Sequence, residues 1–357
     1  MSFNVSIVQA EHGDCILIQG DFDGQPRNIL IDGGPSRTYE YRRRPGALKK
    51  ALQSIRDSGQ KVDLLILSHV DDDHIAGLLS GFKNGGLLEK LTEKIWFNSG
   101  KLIFESFNKT FDSSNLIDFD GSRTGTDASS LTSIGQGAKF EDYISERGIW
   151  QYELIKAGQV RNLFGIKFTI LSPNSEKLEK LLIKWDREEP DSLTSGTDKD
   201  YKKSFDELLL NDEFSEDESI HNGSSIAFVF EYLGKRILFL GDAHNDVIID
   251  SIRDLGHSED NPLLLDYVKL SHHGSKYNTS PEFLKLICCQ NFIISTNGNR
   301  HGLPNKLTLA RIVDRFPRAN LLFNYPDLID DVFDQTEQLE IHNKAYTVGD
   351  CDQDFVL

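Results

Sequence analysis

Apolar and polar positions alternate in short runs along this chain, and the runs predict a layered α/β protein. SIVQA and CILIQG are β-rich segments separated by an acidic, glycine-containing turn, and RNILIDGG supplies a third strand ending at Gly33-Gly34. PGALKKALQSIRDS, residues 45–58, puts Leu48, Leu52 and Ile55 at helical spacing, with Pro45 suited to the first turn. VDLLILSH, residues 62–69, is almost continuously apolar, as expected of a strand buried on both faces, and HIAGLLSGF opens a helix directly behind it. Strand character returns in VRNLFGIKFTILSP (160–173), SIAFVFEY (225–232), RILFLGD (236–242), DYVKLSHHGS (266–275) and NFIIST (291–296). LPNKLTLARIVDRF (303–316) then reads as a helix with Leu307, Leu309, Ile312, Val313 and Phe316 apolar.

Two stretches interrupt this pattern. Residues 98–160 are irregular and rich in Ser, Thr, Gly and Asp, and residues 174–220 form a polar insertion. The end of that insertion, DELLLNDEFSEDES, carries seven acids and no base, a composition expected to stay solvated and mobile. The organisation expected is therefore one domain over 1–320 with insertions at 98–160 and 174–220. A C-terminal extension, 321–357, is expected to pack on the same domain.

Composition narrows the function classes. With 357 residues the chain can bury a large core, and 39 Lys plus Arg against 56 Asp plus Glu give a net charge of −17. That balance excludes a whole-surface electrostatic grip on nucleic acid and leaves room only for a local basic patch. No run approaches 18 apolar residues and the start lacks a signal-peptide pattern, so neither a membrane span nor secretion is expected. Cys15, Cys288, Cys289 and Cys351 lack CxxC spacing and read as buried thiols of a cytoplasmic protein.

The candidate chemistry sits at strand ends. SHVDDDHIAG places His69, Asp71, Asp73 and His74 within six residues at the exit of a buried strand. A helix N-terminus accounts for acids such as Asp72, but it gives no reason for two histidines. Imidazole and carboxylate together suit Zn, Mn or Fe better than the all-oxygen shell of Ca or Mg. FLGDAH ends another strand with Asp242, and KLSHHGS ends a third with His272 and His273. One folded edge collecting all three clusters would hold two divalent ions, with a carboxylate between them.

These segments carry a resemblance to the metallo-β-lactamase-fold hydrolases, and within them to the branch related to the cytoplasmic domain of the DNA-uptake channel protein ComEC/Rec2. The Asp closing an early strand matches Asp32 in LIDGG. The signature appears as HxDxDH, with Asp71 where a second His is usual. The branch's Asn-x-Ser segment matches Asn222 and Ser224, and its bridging Asp matches Asp242. The later metal-binding His falls on His272, with His273 as its rival. His221 stands in the region of a further family His without a secure match. The branch's His-Pro pair is replaced by HGLP, with Leu303 at the His position and His301 two residues earlier.

The resemblance implies a four-layer αββα sandwich with two mixed sheets and a site at one edge. It implies two divalent ions, Zn or Mn with Fe as a third choice, on His69, Asp71, Asp73, His74, Asp242 and His272 or His273. Asp32, Asp72, His221, Asn222 and Ser224 are expected around those ligands, and Asp73 and His301 are expected to handle protons. Water ionised between the ions would be the nucleophile.

A basic segment follows the Asp32 turn. Arg37, Arg42, Arg43 and Arg44 read either as a solvated basic helix entrance or as a patch meeting substrate phosphates, with Tyr39 and Tyr41 able to stack on a base in the second case. The expected activity is that of a phosphodiesterase or nuclease on a nucleotide or short single strand. Two alternatives stand beside it: hydrolysis of a small thioester or amide, and a regulatory protein with a residual metal site. In the last case a protein partner would dock on the acidic insertion or the C-terminal extension.

Overall fold

The computed structural model describes residues 2–107, 133–145, 147–186, 199–341, 347–350 and 354–356. The middle parts of both insertions (108–132 and 187–198) and Cys351 lie outside the described residues. Among those described, the larger sheets have six and eight strands. In the first, β1 (Phe3–Ile7), β2 (Ile16–Phe22), β3 (Gln25–Ile31), β6 (Leu64–Ile66), β7 (Ile95–Trp96) and β18 (Asp354–Val356) run in the order β18-β1-β2-β3-β6-β7. In the second, β8 (Val160–Leu163), β9 (Ile166–Ser172), β10 (Ala227–Tyr232), β11 (Lys235–Phe239), β13 (Tyr267–Lys269), β15 (Asn291–Ile294), β16 (Asn320–Phe323) and β17 (Thr347–Asp350) run β17-β16-β15-β13-β11-β10-β9-β8. Each sheet mixes parallel and antiparallel neighbours: β3 pairs antiparallel with β2 and parallel with β6, and β11 does the same with β10 and β13.

The layering follows from side-chain parity along the strands. Leu64 and Ile66 point one way into a core shared with Phe168, Phe228, Phe230 and Phe239 of the other sheet. Leu65 points the opposite way, into a core formed with helices Ala47–Asp57 and Asp72–Phe82. In the second sheet Phe228 and Phe230 face inward, while Val229 and Leu238 meet helices Asn245–Asp254 and Lys306–Arg315 outside. Three separate cores define four layers, helix–sheet–sheet–helix, the α/β sandwich with mixed sheets that was expected. The continuously apolar strands are those buried on both faces.

Several local expectations need correction. Arg44–Pro45 forms β5, which pairs with β4 (Glu40–Tyr41), and the helix begins only at Ala47. Tyr39 cannot stack on a base: it is buried in the outer helical core and its hydroxyl accepts from Leu87 N. The first insertion is not merely appended, because Phe140 and Ile144 of helix Ser133–Ser145 enter that same core.

The acidic segment is packed, not uniformly solvated. Helix Phe205–Leu210 buries Leu208, Asp212 pairs with the buried Arg311, and Asp217 is nearly buried. The boundary expected at 320/321 falls inside β16, and β17 and β18 then extend one sheet each. Cys15 and Cys289 are buried, with burial pushing the Cys289 thiol up to about 12, but Cys288 on the short strand pair β12 (Leu263–Leu264) and β14 (Ile287–Cys288) is exposed.

Candidate metal centre

The centre forms where loops leaving both sheets meet. Beyond β6 the chain turns through His69 and Val70 into helix Asp72–Phe82, whose N-cap is Asp71. That helix lies directly on the Asp32-Gly33-Gly34 turn: Gly33 N donates to His74 O and Gly77 N to Gly34 O, both at 2.8 Å. A Cβ on Gly77 would come within 2.0 Å of Gly33 O, so the close approach requires glycine. It also brings His74 Nδ1 to 2.8 Å from Asp32 Oδ2, while Asp32 is held by the Ser68 amide and hydroxyl, both at 2.7 Å.

From the second sheet, the turn after β11 delivers Asp242, whose amide donates to Ser225 Oγ at 3.2 Å. The turn after β13 delivers His272 and His273, both with left-handed backbones, φ 47° and 54°. Consecutive non-glycine residues in this region store about 1–3 kcal/mol each and persist only where the surroundings over-determine them. Here the His272 amide donates to Gly241 O at 2.9 Å and the Ser271 hydroxyl to Ala243 O at 2.9 Å.

The histidines share one orientation. Each has Nδ1 near an outer group: His69 Nδ1 lies 3.1 Å from Ser68 Oγ, and His273 Nδ1 lies 2.9 Å from Ser295 O. His272 Nδ1 lies 3.2 Å from Asn278 Oδ1 and 3.3 Å from Asp217 Oδ2. Each Nε2 turns inward. His74, His69 and His272 approach Asp242 at 3.4, 3.8 and 3.9 Å, and His273 approaches Asp73 at 3.3 Å. Nε2 of His69, His74 and His273 and Oδ1 of Asp242 are buried without a hydrogen bond among the described residues.

Leaving such groups unpaired in a protein interior costs about 1–3 kcal/mol apiece, so their convergence fits a cation that would engage them together. The triads His69–His74–Asp242 and Asp73–His74–His273 each gather their ligand atoms within 4.8 Å. This donor set suits Zn, Mn or Fe, and the outer partners on Nδ1 are those that fix a ligating tautomer.

The acids and imidazoles of the cluster also perturb one another. Burial opposes charge on Asp242, but His74, His272 and His273 outweigh it and hold the carboxyl well below its usual range. Burial likewise opposes charge on His272, yet Asp242 and Asp217 lift it to about 9.

The remaining expected residues divide. Asp71 lies at the centre's edge, Oδ2 at 3.7 Å from His69 Nε2 and Oδ1 at 2.8 Å from His221 Nδ1. Asn222 donates to Asp217 Oδ2 at 2.7 Å, and Ser224 donates to His221 O at 2.6 Å. Asp72 turns away to accept from Gln136 at 2.7 Å. His301 is half-buried on the 297–303 loop, whose Asn297 amide donates to Glu11 O at 2.7 Å, and burial lowers its pKa.

Arg37 reaches Glu11 at 3.7 Å and lies over Tyr41. Arg42, Arg43 and Arg44 sit exposed on the β4–β5 hairpin, with Arg42 also over Tyr41, and no hydrogen bond or ion pair joins them to the cluster among the described residues.

Three participants were not singled out in the sequence. Asp14 is buried beside His273, Asp217 orients His272, and His12 is a buried imidazole that feels the charge of Asp73. A D-x-S turn preceding the histidine segment, in which Ser219 N donates to Asp217 Oδ1 at 2.9 Å, is the signal that would have separated Asp217 from its acidic neighbours.

No curated protein matches the sequence. Solved structures that resemble the chain include the metallo-beta-lactamase fold protein YhfI from Bacillus subtilis, at 12% identity, 99% coverage of both chains and TM-score 0.40. They also include Zn(2+)-bound PqqB from Methylobacterium extorquens, at 13% identity, 99% coverage of both and TM-score 0.44. A diphosphatase from the PhnP family shares 10% identity over 100% of this chain and 98% of its own, with TM-score 0.41. The family model described as Metallo-beta-lactamase superfamily matches residues 8–137, the stretch that holds Asp32 and the His69–His74 cluster.

Proposed function

We propose that this protein is a divalent-metal-dependent phosphodiesterase acting on a nucleotide or a short single strand, within the branch related to ComEC/Rec2. The observation that carries the metal dependence is the convergence on Asp242 and Asp73 of the buried Nε2 atoms of His69, His74 and His273, which have no hydrogen bond among the described residues. His69, Asp71, Asp242 and His272 would hold one cation and Asp73, His74, Asp242 and His273 the other. Divalent cations held by these residues would supply Lewis acidity and the means to ionise water near neutral pH. Zn or Mn suits the donors.

The protein's own groups supply the rest. Asp71, Asp73 and Asp242 neutralise most but not all of the charge of two divalent cations, which leaves a centre that attracts an anionic phosphoryl group. Asp73 stays ionised because the imidazoles of His74 and His273 outweigh the cost of its burial, so its carboxylate is kept in the form that would bind a cation. His301, kept neutral by burial, offers a hydrogen bond to the substrate from the opposite loop. Arg37, tied to the Glu11 loop, adds fixed positive charge at the rim.

The test is hydrolysis by the purified full chain supplemented with Mn²⁺ or Zn²⁺. A bis-nitrophenyl phosphate, a short single-stranded oligonucleotide and a thioester are compared as substrates. The expected result is cleavage of both phosphodiesters and loss of that cleavage in Asp242→Asn. Turnover of the thioester alone would reject the phosphodiester reading.

A further inference from the structure

The seam between the sheets contains a buried ion pair with a direct connection to the centre. Lys269, the last residue of β13, is 1% exposed and its Nζ bonds Asp14 Oδ2, which belongs to the loop between β1 and β2 and is 2% exposed. The other Asp14 oxygen, Oδ1, lies 3.4 Å from His273 Nδ1 and has no hydrogen bond among the described residues. The Asp14 amide donates to Asp73 O at 3.2 Å, so the same residue touches both partners of the inward contact between His273 Nε2 and Asp73 Oδ2. A buried Lys–Asp pair is a poor way merely to join two sheets, since well-packed apolar residues commonly do as well or better.

Asp14 might be taken for a ligand, because Asp14, Asp32 and His74 also bring ligand atoms within 4.8 Å of one another. Their chemistry argues otherwise. The ammonium of Lys269 occupies one Asp14 oxygen and repels a second cation there. Asp32 already accepts from the Ser68 amide and hydroxyl and lies 2.8 Å from His74 Nδ1. This triad is the outer support of the centre.

We infer that Lys269 is a positioning residue: by fixing Asp14 against the outer nitrogen of His273, it holds the inner nitrogen toward Asp73 and so completes one of the two cation sites. His273 Nδ1 is nearer to Ser295 O, at 2.9 Å, than to Asp14, so the carbonyl takes the hydrogen bond and Asp14 supplies charge beside it. Without Lys269 the carboxylate has no cation to hold it and is free to neutralise or to turn toward the ring. The inference rests on the proposed metal centre, not on the phosphodiester substrate.

The experiment titrates Mn²⁺ alone into metal-stripped full-length protein by calorimetry and measures the metal-free melting temperature alongside. The parent is compared with Lys269→Met, Asp14→Asn and the double variant. The parent should bind two equivalents. Each single variant should weaken one site by about 10- to 100-fold, the range for partners that orient metal ligands, and leave the other unchanged. Lys269→Met should also lower the melting temperature, since it leaves a buried charge unpaired. The double variant, with neither charge, should regain much of that stability without regaining affinity, a separation that a merely structural pair would not show.

Parent-like affinity at both sites in the variants, or recovery of affinity together with stability in the double variant, would overturn the inference. Should Lys269→Met fail to fold, the double variant decides alone. A parent that binds two cations but cleaves no phosphodiester would remove the substrate reading and leave this inference standing. A parent that binds fewer than two overturns both.

Discussion

The histidine–aspartate cluster and the arginine hairpin both stood out as dense runs of one kind of chemistry, yet their settings are opposite. His69, His74 and His273 are buried, each has an outer group near Nδ1, and Nε2 has no hydrogen bond among the described residues. Arg42 and Arg43 form the exposed two-residue turn of the β4–β5 hairpin, with Tyr41 under Arg42, and Arg44 is exposed at the start of β5. Convergence means most where water is excluded, because a buried polar group without a partner must be explained. An exposed one need not be. The cluster is therefore defined by its geometry, whereas the hairpin has only its charge to recommend it.

The largest effect expected from breaking this contrast is at Asp242, which faces three inward imidazoles. Asp242→Asn should reduce Mn²⁺ affinity and phosphodiester hydrolysis by more than about 100-fold, beyond the range for outer partners. Calorimetry and initial rates measure both. A loss confined to one metal equivalent would show that Asp242 does not serve both sites.

Asp217→Asn should have a smaller effect, about 10- to 100-fold in the affinity of the site that includes His272, because the outer nitrogen of that ring loses its carboxylate. An unchanged binding isotherm would return Asp217 to the solvated acidic run.

His12 tests whether burial extends its influence beyond the ligands. Burial lowers its pKa to about 4, while the unfolded chain binds that proton at about 6.5. Between those values the unfolded state holds more protons, so stability is lost as pH falls from 6.5 toward 4. His12→Gln should flatten that slope in denaturant titrations of the metal-free protein at pH 7, 6 and 5. Parallel curves for the two proteins would reject it.

The smallest effect on the fold should come from replacing Arg42, Arg43 and Arg44 together with Ala, with stability changing by less than about 0.5 kcal/mol per site. If the hairpin reaches substrate, the Michaelis constant for an oligonucleotide should rise and its salt dependence weaken, with little change for the small diester. Equal behaviour toward both substrates would leave the hairpin as solvated charge.

What could be read beforehand tracks how local each signal is. The HVDDDH run was legible because four candidate ligands lie within one turn of chain behind a continuously apolar strand. The strands buried on both faces were legible from their continuous apolar runs, as at 62–69 and 225–242, whereas their arrangement in two mixed sheets came only from the resemblance. Asp14 gave no local sign, since a single acid before a strand is ordinary and its meaning comes from Lys269, 255 residues away. Asp217 was hidden by composition, one buried acid among seven that average to a solvated segment. Tyr39 looked like part of a basic, aromatic stretch because adjacency in sequence does not reveal that one of two neighbouring tyrosines is packed under a helix.

The centre draws on both sheets, and this has a consequence for how the protein is made. His69, Asp73 and His74 leave the ribosome long before Asp242, His272 and His273: Asp242 follows His74 by 168 positions and His273, which completes the second set, by 199. At synthesis rates of about 5–20 residues per second, the first set waits roughly 10–40 s for the second. During that interval a nascent chain displays imidazoles and carboxylates near one another without Asp242 or the lysine of the seam. Any cation it captures then is held by an incomplete set of donors and is exchangeable. If the centre holds metal as proposed, the choice of ion would be settled late, when the second sheet closes over the first, and would reflect the supply at the moment of closure as well as the preference of the finished site.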